Sequence, residues 1–319
     1  MVNLLPLAEG EAISTVLPLP EDETEWGRLH IMFATAHGTV RRNSMAAFTN
    51  VPTAGKIAMR FGAGPAEEVE NGDDNDEQAD PTDRLIGVEL LTEGDDVLLA
   101  TRHGKAIRFM ATDVREFQSR TSTGVRGVRL QTGDEVISMS ILPRVGTTQE
   151  EREAYLRFAP WKGEKEGVPT ISTDRIAELS DKEQFILTIT ENGYGKRSSA
   201  YEYRRTNRGG QGITNIDTSE RNGCVIASFP AQQGEQLMLV TNQGKMIRTT
   251  VGDIRVMGRN TQGVTIFRVA ENEHVVSVAK IDESDEEEIE IEGGDEVSPV
   301  PDAVVGESEL EKPADPEQE

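Results

Sequence analysis

Four times along this sequence a basic residue stands four positions after a glycine that itself follows a threonine by three. The segments are Met32-Phe-Ala-Thr-Ala-His-Gly38-Thr-Val-Arg-Arg42, Leu98-Leu-Ala-Thr-Arg-His-Gly104-Lys-Ala-Ile-Arg108, Leu187-Thr-Ile-Thr-Glu-Asn-Gly193-Tyr-Gly-Lys-Arg197 and Met238-Leu-Val-Thr-Asn-Gln-Gly244-Lys-Met-Ile-Arg248. Eleven after the same glycine come Arg115, Arg204 and Arg255 in three of the units, and four before a second glycine come Arg120, Arg208 and Arg259. Arg41, Lys105, Lys196, Arg205 and Lys245 flank these positions. Guanidinium and ammonium groups offer charge-assisted hydrogen bonds to phosphate oxygens. Set at one offset of a repeat, they form a belt of positive charge suited to the backbone of a bent duplex, giving affinity without sequence readout. Such contacts can offset the cost of bending, of order 1–6 kcal/mol for a 20–30 bp stretch, and neighbouring glycines such as Gly209 and Gly210 let a DNA backbone approach closely. Two other readings stand beside this one. Basic residues also protect the edges of sheets, and a propeller can bind proteins. The latter calls for exposed aromatic anchors, and the chain has only 2 Trp and 4 Tyr to offer.

The elements that must carry these residues are β-hairpins. His-Gly, Asn-Gly and Gln-Gly steps supply the positive φ of a tight turn, and the apolar and β-branched residues on either side supply strands. Ten residues after each turn glycine comes an apolar residue (Phe48, Val114, Tyr203, Ile254), and the second glycine follows at Gly55, Gly124, Gly212 and Gly263. Each of these heads is followed by a tail strand, starting at Leu85, Val136, Val225 and Val275. A fifth tail, Ala12-Ile13-Ser14, has no head before it, so the sequence reads as a fragment that begins inside a repeat. Four-stranded units recurring at about 50 residues point to an all-β, propeller-like array, in which each blade buries its faces against its neighbours.

The 319 residues carry a formal net charge of −24, which at first argues against a polyanionic partner. The charge is local. Asp282 to Glu319 holds 17 acidic residues and one Lys, and Gly62 to Arg84 holds 9 acidic residues and one Arg, so the remainder balances at 31 of each sign. Residues 1–281 therefore read as the folded domain and residues 282–319 as a disordered acidic tail. Residues 62–83 read as a disordered acidic insertion. Residues 146–183 read as a partly helical one, with Thr148 as a helix cap and Tyr155, Leu156 and Phe158 as its anchors. The tail either solubilises the chain or lies on the basic belt and competes with DNA. Cys224, the single cysteine, excludes an intrachain disulfide and fits a reducing compartment. No apolar run approaches the ~18 residues of a membrane helix, and the four His have no metal-ligand spacing.

The residues then become specific. Glu191-Asn-Gly-Tyr-Gly-Lys-Arg197, Arg204-Arg-Thr-Asn-Arg-Gly-Gly-Gln-Gly-Ile213 and Ile254-Arg-Val-Met-Gly-Arg-Asn-Thr-Gln-Gly-Val264 closely resemble successive blades of the C-terminal domain of the bacterial DNA gyrase A subunit, a type IIA topoisomerase. Val2-Asn-Leu-Leu-Pro-Leu7 resembles the segment that leaves that domain's second blade. The resemblance spans Val2 to Ile281 apart from the two insertions. It implies a six-bladed β-pinwheel whose blades exchange strands, with the four heads as the last four blades. It also implies a domain that wraps double-stranded DNA with positive handedness in support of ATP-dependent negative supercoiling. The implied partners are the gyrase B subunit and a second A subunit, met through a region absent from this sequence, and no membrane. The implied location is the cytoplasm, on the chromosome.

No catalytic residue and no cofactor is expected in this chain. ATP and Mg belong to the partner subunit and the rest of the holoenzyme. No tyrosine here has the Ala-Ala-Met-Arg-Tyr-Thr surroundings of the family's cleavage residue, and there is no Gly-x-x-x-x-Gly-Lys-Ser/Thr loop. The family's Gln-Arg-Arg-Gly-Gly-Arg-Gly box is present only as the related Arg205-Thr-Asn-Arg-Gly-Gly-Gln-Gly212. The rival within the family is the topoisomerase IV C-subunit domain, usually smaller and less regular. Four regular heads and a long acidic tail favour gyrase.

Overall fold

Alternating β-branched and aliphatic residues, punctuated by positive-φ glycines, fold each head into an antiparallel hairpin. The computed structural model describes residues 13–52, 55–61, 82–120, 122–163 and 166–281. β1 (His30–Thr35) and β2 (Thr39–Ser44) form the first head and β3 (Leu85–Leu91) its tail. The second unit is β4 (Asp96–Thr101), β5 (Lys105–Met110), the two-residue β6 (Val125–Arg126) and β7 (Val136–Leu142). The third is β8 (Phe185–Thr190), β9 (Tyr194–Ser199), β10 (Ile213–Thr214) and β11 (Val225–Pro230). The fourth is β12 (Gln236–Thr241), β13 (Met246–Thr250), β14 (Val264–Thr265) and β15 (Val275–Ile281).

The repeated threonine closes each turn from within. Thr35, Thr101 and Thr241 accept the backbone N–H of Thr39, Lys105 and Lys245 on Oγ1 at 3.3, 3.2 and 3.3 Å. Thr190 donates to the Tyr194 carbonyl at 3.2 Å. All four are buried, so the hydroxyl satisfies turn groups that water cannot reach.

The short strands leave their own units. β6 pairs with β2, β10 with β5 and β14 with β9, giving sheet orders β3-β1-β2-β6, β10-β5-β4-β7 and β11-β8-β9-β14. The fourth sheet, β13-β12-β15, has three strands among the described residues. The second glycine makes the exchange possible. Gly124, Gly212 and Gly263 have φ of 121°, 71° and 78°, and a Cβ there would lie 2.5–2.6 Å from the carbonyl oxygen of Val40, Ala106 or Gly195 on the preceding blade. Only glycine lets the donated strand come that close. The fold is thus an all-β pinwheel of strand-exchanging antiparallel blades.

Tails β3, β7, β11 and β15 pack in succession, and the core lies between consecutive sheets. Met32, Val40, Leu99 and Phe109 join the first two blades, Leu98, Leu142, Ile186 and Tyr203 the second and third, and Leu187, Leu239, Val251 and Ile254 the third and fourth. Strands covered on both faces are buried throughout, as β1 and β4 are. Among the described residues, the amphipathic alternation of a one-sided sheet appears in the fourth blade, in β12 and β13.

Between β7 and β8 the chain forms α1 (Gln149–Phe158) and α2 (Thr173–Asp181). Thr148 and Glu151 make a reciprocal capping box at the start of α1, satisfying two otherwise orphaned backbone donors. Tyr155, Ala159 and Leu179 pack on Tyr201 of the third blade. The Glu183 carboxylate ties the insertion down, accepting from Tyr155 Oη, Trp161 Nε1 and Ser199 Oγ at 2.5–3.2 Å. Burial raises its pKa despite those bonds.

One expected strand is absent. Ile13 and Ser14 are exposed and lie outside any strand. The tails that form strands each pair with the head of their own unit. Val2 to Leu7, most of the acidic insertion (62–81) and the acidic tail (282–319) lie outside the described residues.

Candidate nucleic-acid interface

The arginine four after the turn glycine sits inside a blade junction in the first three units, where Arg42, Arg108 and Arg197 are buried. Arg42 Nε donates to the Val114 carbonyl at 2.8 Å, and Arg197 Nε donates to that of Ile254 at 2.6 Å. Both acceptors occupy the same position in the next unit. Arg108 NH1 reaches the Ala200 carbonyl at 2.9 Å, and its Nε donates to Asp96 at 2.8 Å. Backbone bonds close the same seam, with Phe117, Thr206 and Met257 N–H donating to the carbonyls of Arg42, Arg108 and Arg197. These guanidiniums staple blade to blade. Burial depresses the pKa of Arg108 and Arg197, opposed at Arg108 by Asp96.

Arg41 and Lys196, one position earlier, are also withdrawn from solvent. Each is fully buried and plugs a loop of the following blade. Arg41 NH1 donates to the Ser122 carbonyl. Lys196 Nζ donates to the carbonyls of Gly258, Arg259 and Thr261. Burial pushes Arg41 down to about 10 and Lys196 to about 7. Ile107 and Ile247 hold this position in the other two units, so it belongs to loop packing rather than to a belt.

The arginines eleven after the turn glycine behave oppositely. Arg115, Arg204 and Arg255 are all exposed, and none is ion-paired among the described residues. The local chain is extended, so neighbouring side chains alternate in direction. Val114, Tyr203 and Ile254 point inward, and the next residue must point out. The residue after that bridges to the staple arginine, in the pairs Arg42–Glu116, Arg108–Arg205 and Arg197–Val256. Each exposed arginine therefore marks the outside of one junction. Arg115 is steadied over the Phe117 ring at 4.4 Å.

The remaining candidates divide. Arg208 and Arg259 are half-buried and repeat one contact, NH1 to the carbonyl of Arg126 or Thr214 on the donated strand of the preceding unit, at 3.0 and 2.8 Å. Arg205 bonds Asp96 at 3.1 Å. Arg120 is half-buried beside Arg41, whose pKa its charge lowers. Lys105 reaches Thr214 Oγ1 at 3.4 Å. Lys245 pairs with Glu273 at 2.7 Å, and Arg248 is exposed and donates to Gln236 at 2.5 Å.

Sequence reasoning missed Arg152 and Lys162. Both come from the insertion, outside the repeat, and line a cleft of about 860 Å³ together with Arg204, Arg205 and Arg259. No spacing rule could have linked them to those arginines.

Comparison with known proteins bears on the family and the fold. The family described as "DNA gyrase C-terminal domain, beta-propeller" matches residues 29–71, 95–143, 184–228 and 235–282, more than half of the chain. The DNA gyrase A subunit of Rickettsia bellii (strain RML369-C) is 44% identical over 93% of the chain and 32% of its own length. That of Granulibacter bethesdensis is 43% identical over 97% of the chain and 34% of its own length, and that of Escherichia coli (strain K12) 34% identical over 94% and 28%. The chain thus spans about a third of the length of the curated relatives it matches. A solved DNA gyrase A C-terminal domain shares the fold at a TM-score of 0.56 and 20% identity, covering 80% of this chain and 67% of that one. A solved C-terminal domain of DNA topoisomerase IV shares it at 0.62 and 19%, covering 88% and 69%. With four matched segments that each hold one repeat head, the chain belongs to the DNA gyrase C-terminal domain family.

Proposed function

We propose that the chain binds double-stranded DNA without sequence preference and wraps it along the outer rim of the blades, as the C-terminal part of a gyrase A subunit. One observation carries this reading. The same repeat position presents an exposed arginine with no ion pair among the described residues at three successive junctions, Arg115, Arg204 and Arg255. Positive charges repeated at one position of successive units suit a polyanion with repeated phosphates. In the holoenzyme, with a second A subunit and the ATP-hydrolysing B subunit, the wrap supports negative supercoiling. The cleavage chemistry and nucleotide use belong to those other parts, and the work is done on the chromosome in the cytoplasm. The topoisomerase IV alternative rests on likeness of fold at 19% identity, whereas the relatives at 34–44% identity are gyrase A subunits.

Titrating a mixed-sequence duplex at rising salt tests the proposal. Neutralisation of 6–10 phosphates predicts a loss of about 10³–10⁵ in affinity between 50 and 200 mM salt. A flat salt dependence refutes it. Ligation of nicked plasmid on the chain then reads the sign of the trapped linking difference, expected to be positive.

A further inference from the structure

We infer that the helical insertion forms the second wall of a phosphate-binding cleft, so that one strand of the bound duplex runs between α1 and the rim of the third and fourth blades. The inference rests on the DNA-binding reading above and adds a contact surface that the repeat does not supply.

Six cationic and two anionic side chains line the cleft. With Arg108 and Arg205 paired to the buried Asp96, Arg152, Lys162, Arg204 and Arg259 still outnumber Glu153 and Glu202, the opposite sign to the chain's net −24. Arg152 of α1 and Lys162 stand on the insertion side, and Arg204, Arg205 and Arg259 on the blade side. Arg152 is half-exposed and has no ion pair among the described residues, and its charge is felt by Arg108 across the cleft. The two acids do not neutralise the site. The Glu202 carboxylate accepts the Arg259 backbone N–H at 2.7 Å, and Glu153 accepts from Gln149 at 2.8 Å. Sites for compact organic ligands are mostly apolar, whereas this lining is mostly charged or polar. The chemistry called for is phosphate.

A polymer fits better than a free polyphosphate. Arg204 inside the cleft belongs to the same repeat position as Arg115 and Arg255 outside it. A ligand that touches all three must be continuous along the rim. The capping box and the Glu183 anchor hold α1 in place, so Arg152 is pre-positioned rather than carried on a loose loop.

The test uses the full chain and four variants. Arg152→Glu reverses the charge in the cleft, and Arg152→Lys keeps it. Arg157→Glu makes the same reversal on α1 at an exposed residue that does not line the cleft. Arg255→Ala removes a rim arginine outside the cleft. Expected for Arg152→Glu are an unchanged melting temperature, about tenfold weaker duplex binding and a salt slope lower by about one. Arg152→Lys retains binding, and Arg157→Glu stays close to wild type. If Arg152→Glu binds as wild type while Arg255→Ala weakens, the cleft is overturned and the rim reading stands. If neither variant weakens binding and the salt slope is flat, the rim reading falls and the cleft with it. If inorganic tripolyphosphate raises the melting temperature in an Arg152-dependent way while duplex binding ignores Arg152, the cleft takes free anions and the strand reading is overturned.

Discussion

The third and fourth blades are built from the same repeat, yet Arg197 is buried and Arg248 is exposed. Both residues stand four after a turn glycine, on the second strand of a head hairpin. Arg197 donates to the Ile254 carbonyl of the following unit, whereas Arg248 has no following unit among the described residues and bonds Gln236 of its own sheet. The third sheet receives β14 as a fourth strand, and among the described residues the fourth sheet receives none. A Cβ on Gly104 of the second blade would meet the Ile216 carbonyl oxygen at 2.5 Å, while one on Gly244 would meet nothing within 4 Å. Met246 and Val276 of the fourth blade are 67% and 54% exposed, as expected of a sheet with one face uncovered among the described residues. A residue's role in this fold is therefore set by whether a neighbour blade covers it.

Substitution at matched positions should break this contrast if it is wrong. The largest difference is expected between Arg108→Ala and Arg248→Ala. The first leaves Asp96 buried with only the partly exposed Arg205 as partner, and should lower stability in urea unfolding by about 3–5 kcal/mol. The second should stay within about 0.5 kcal/mol, as an exposed change. Equal losses would show that the staple contributes nothing beyond its own sheet.

Next come the turn glycines. Both Gly104→Ala and Gly244→Ala force a side chain into positive φ, at about 1–3 kcal/mol. Gly104→Ala also drives a methyl into a carbonyl, adding about 1–3 kcal/mol of overpacking. The excess of the first over the second in thermal melts measures the close approach alone.

The rim arginines should show the smallest effect on stability and a selective effect on DNA. Arg115→Ala and Arg255→Ala should each melt within about 0.5 kcal/mol of wild type. Each should weaken duplex binding by about 1–2 kcal/mol and lower the salt slope by about one. A melting-temperature loss comparable to that of Arg108→Ala would place them with the staples and remove the basis for the rim.

Much of this was legible in the residues. The hairpins follow from glycines at positive φ between β-branched runs. The blade count follows from the offsets of Thr, Gly and Arg. The confinement of negative charge follows from counting. Fixed offsets alone do not separate the buried repeated basic residues from the exposed ones. Arg42 and Arg115 looked equivalent because each recurs at a fixed distance from a glycine, and only the first is enclosed. An inward Val114 before Arg115 was the available clue, since an extended chain turns successive side chains to opposite sides.

The sequence alone determined what is local: turn conformation, strand pairing within each head and the capping of α1, all decided by backbone preferences over a few residues. The tertiary structure decided which cations reach solvent. That outcome depends on contacts such as Arg42 with Val114 and Arg108 with Ala200, made between residues 72 and 92 positions apart. It depends as well on an insertion outside the repeat that brings Arg152 to Arg204. Burying a guanidinium is tolerable only where carbonyls or a carboxylate replace its water. Those acceptors come from the next blade, and only the assembled stack puts them there.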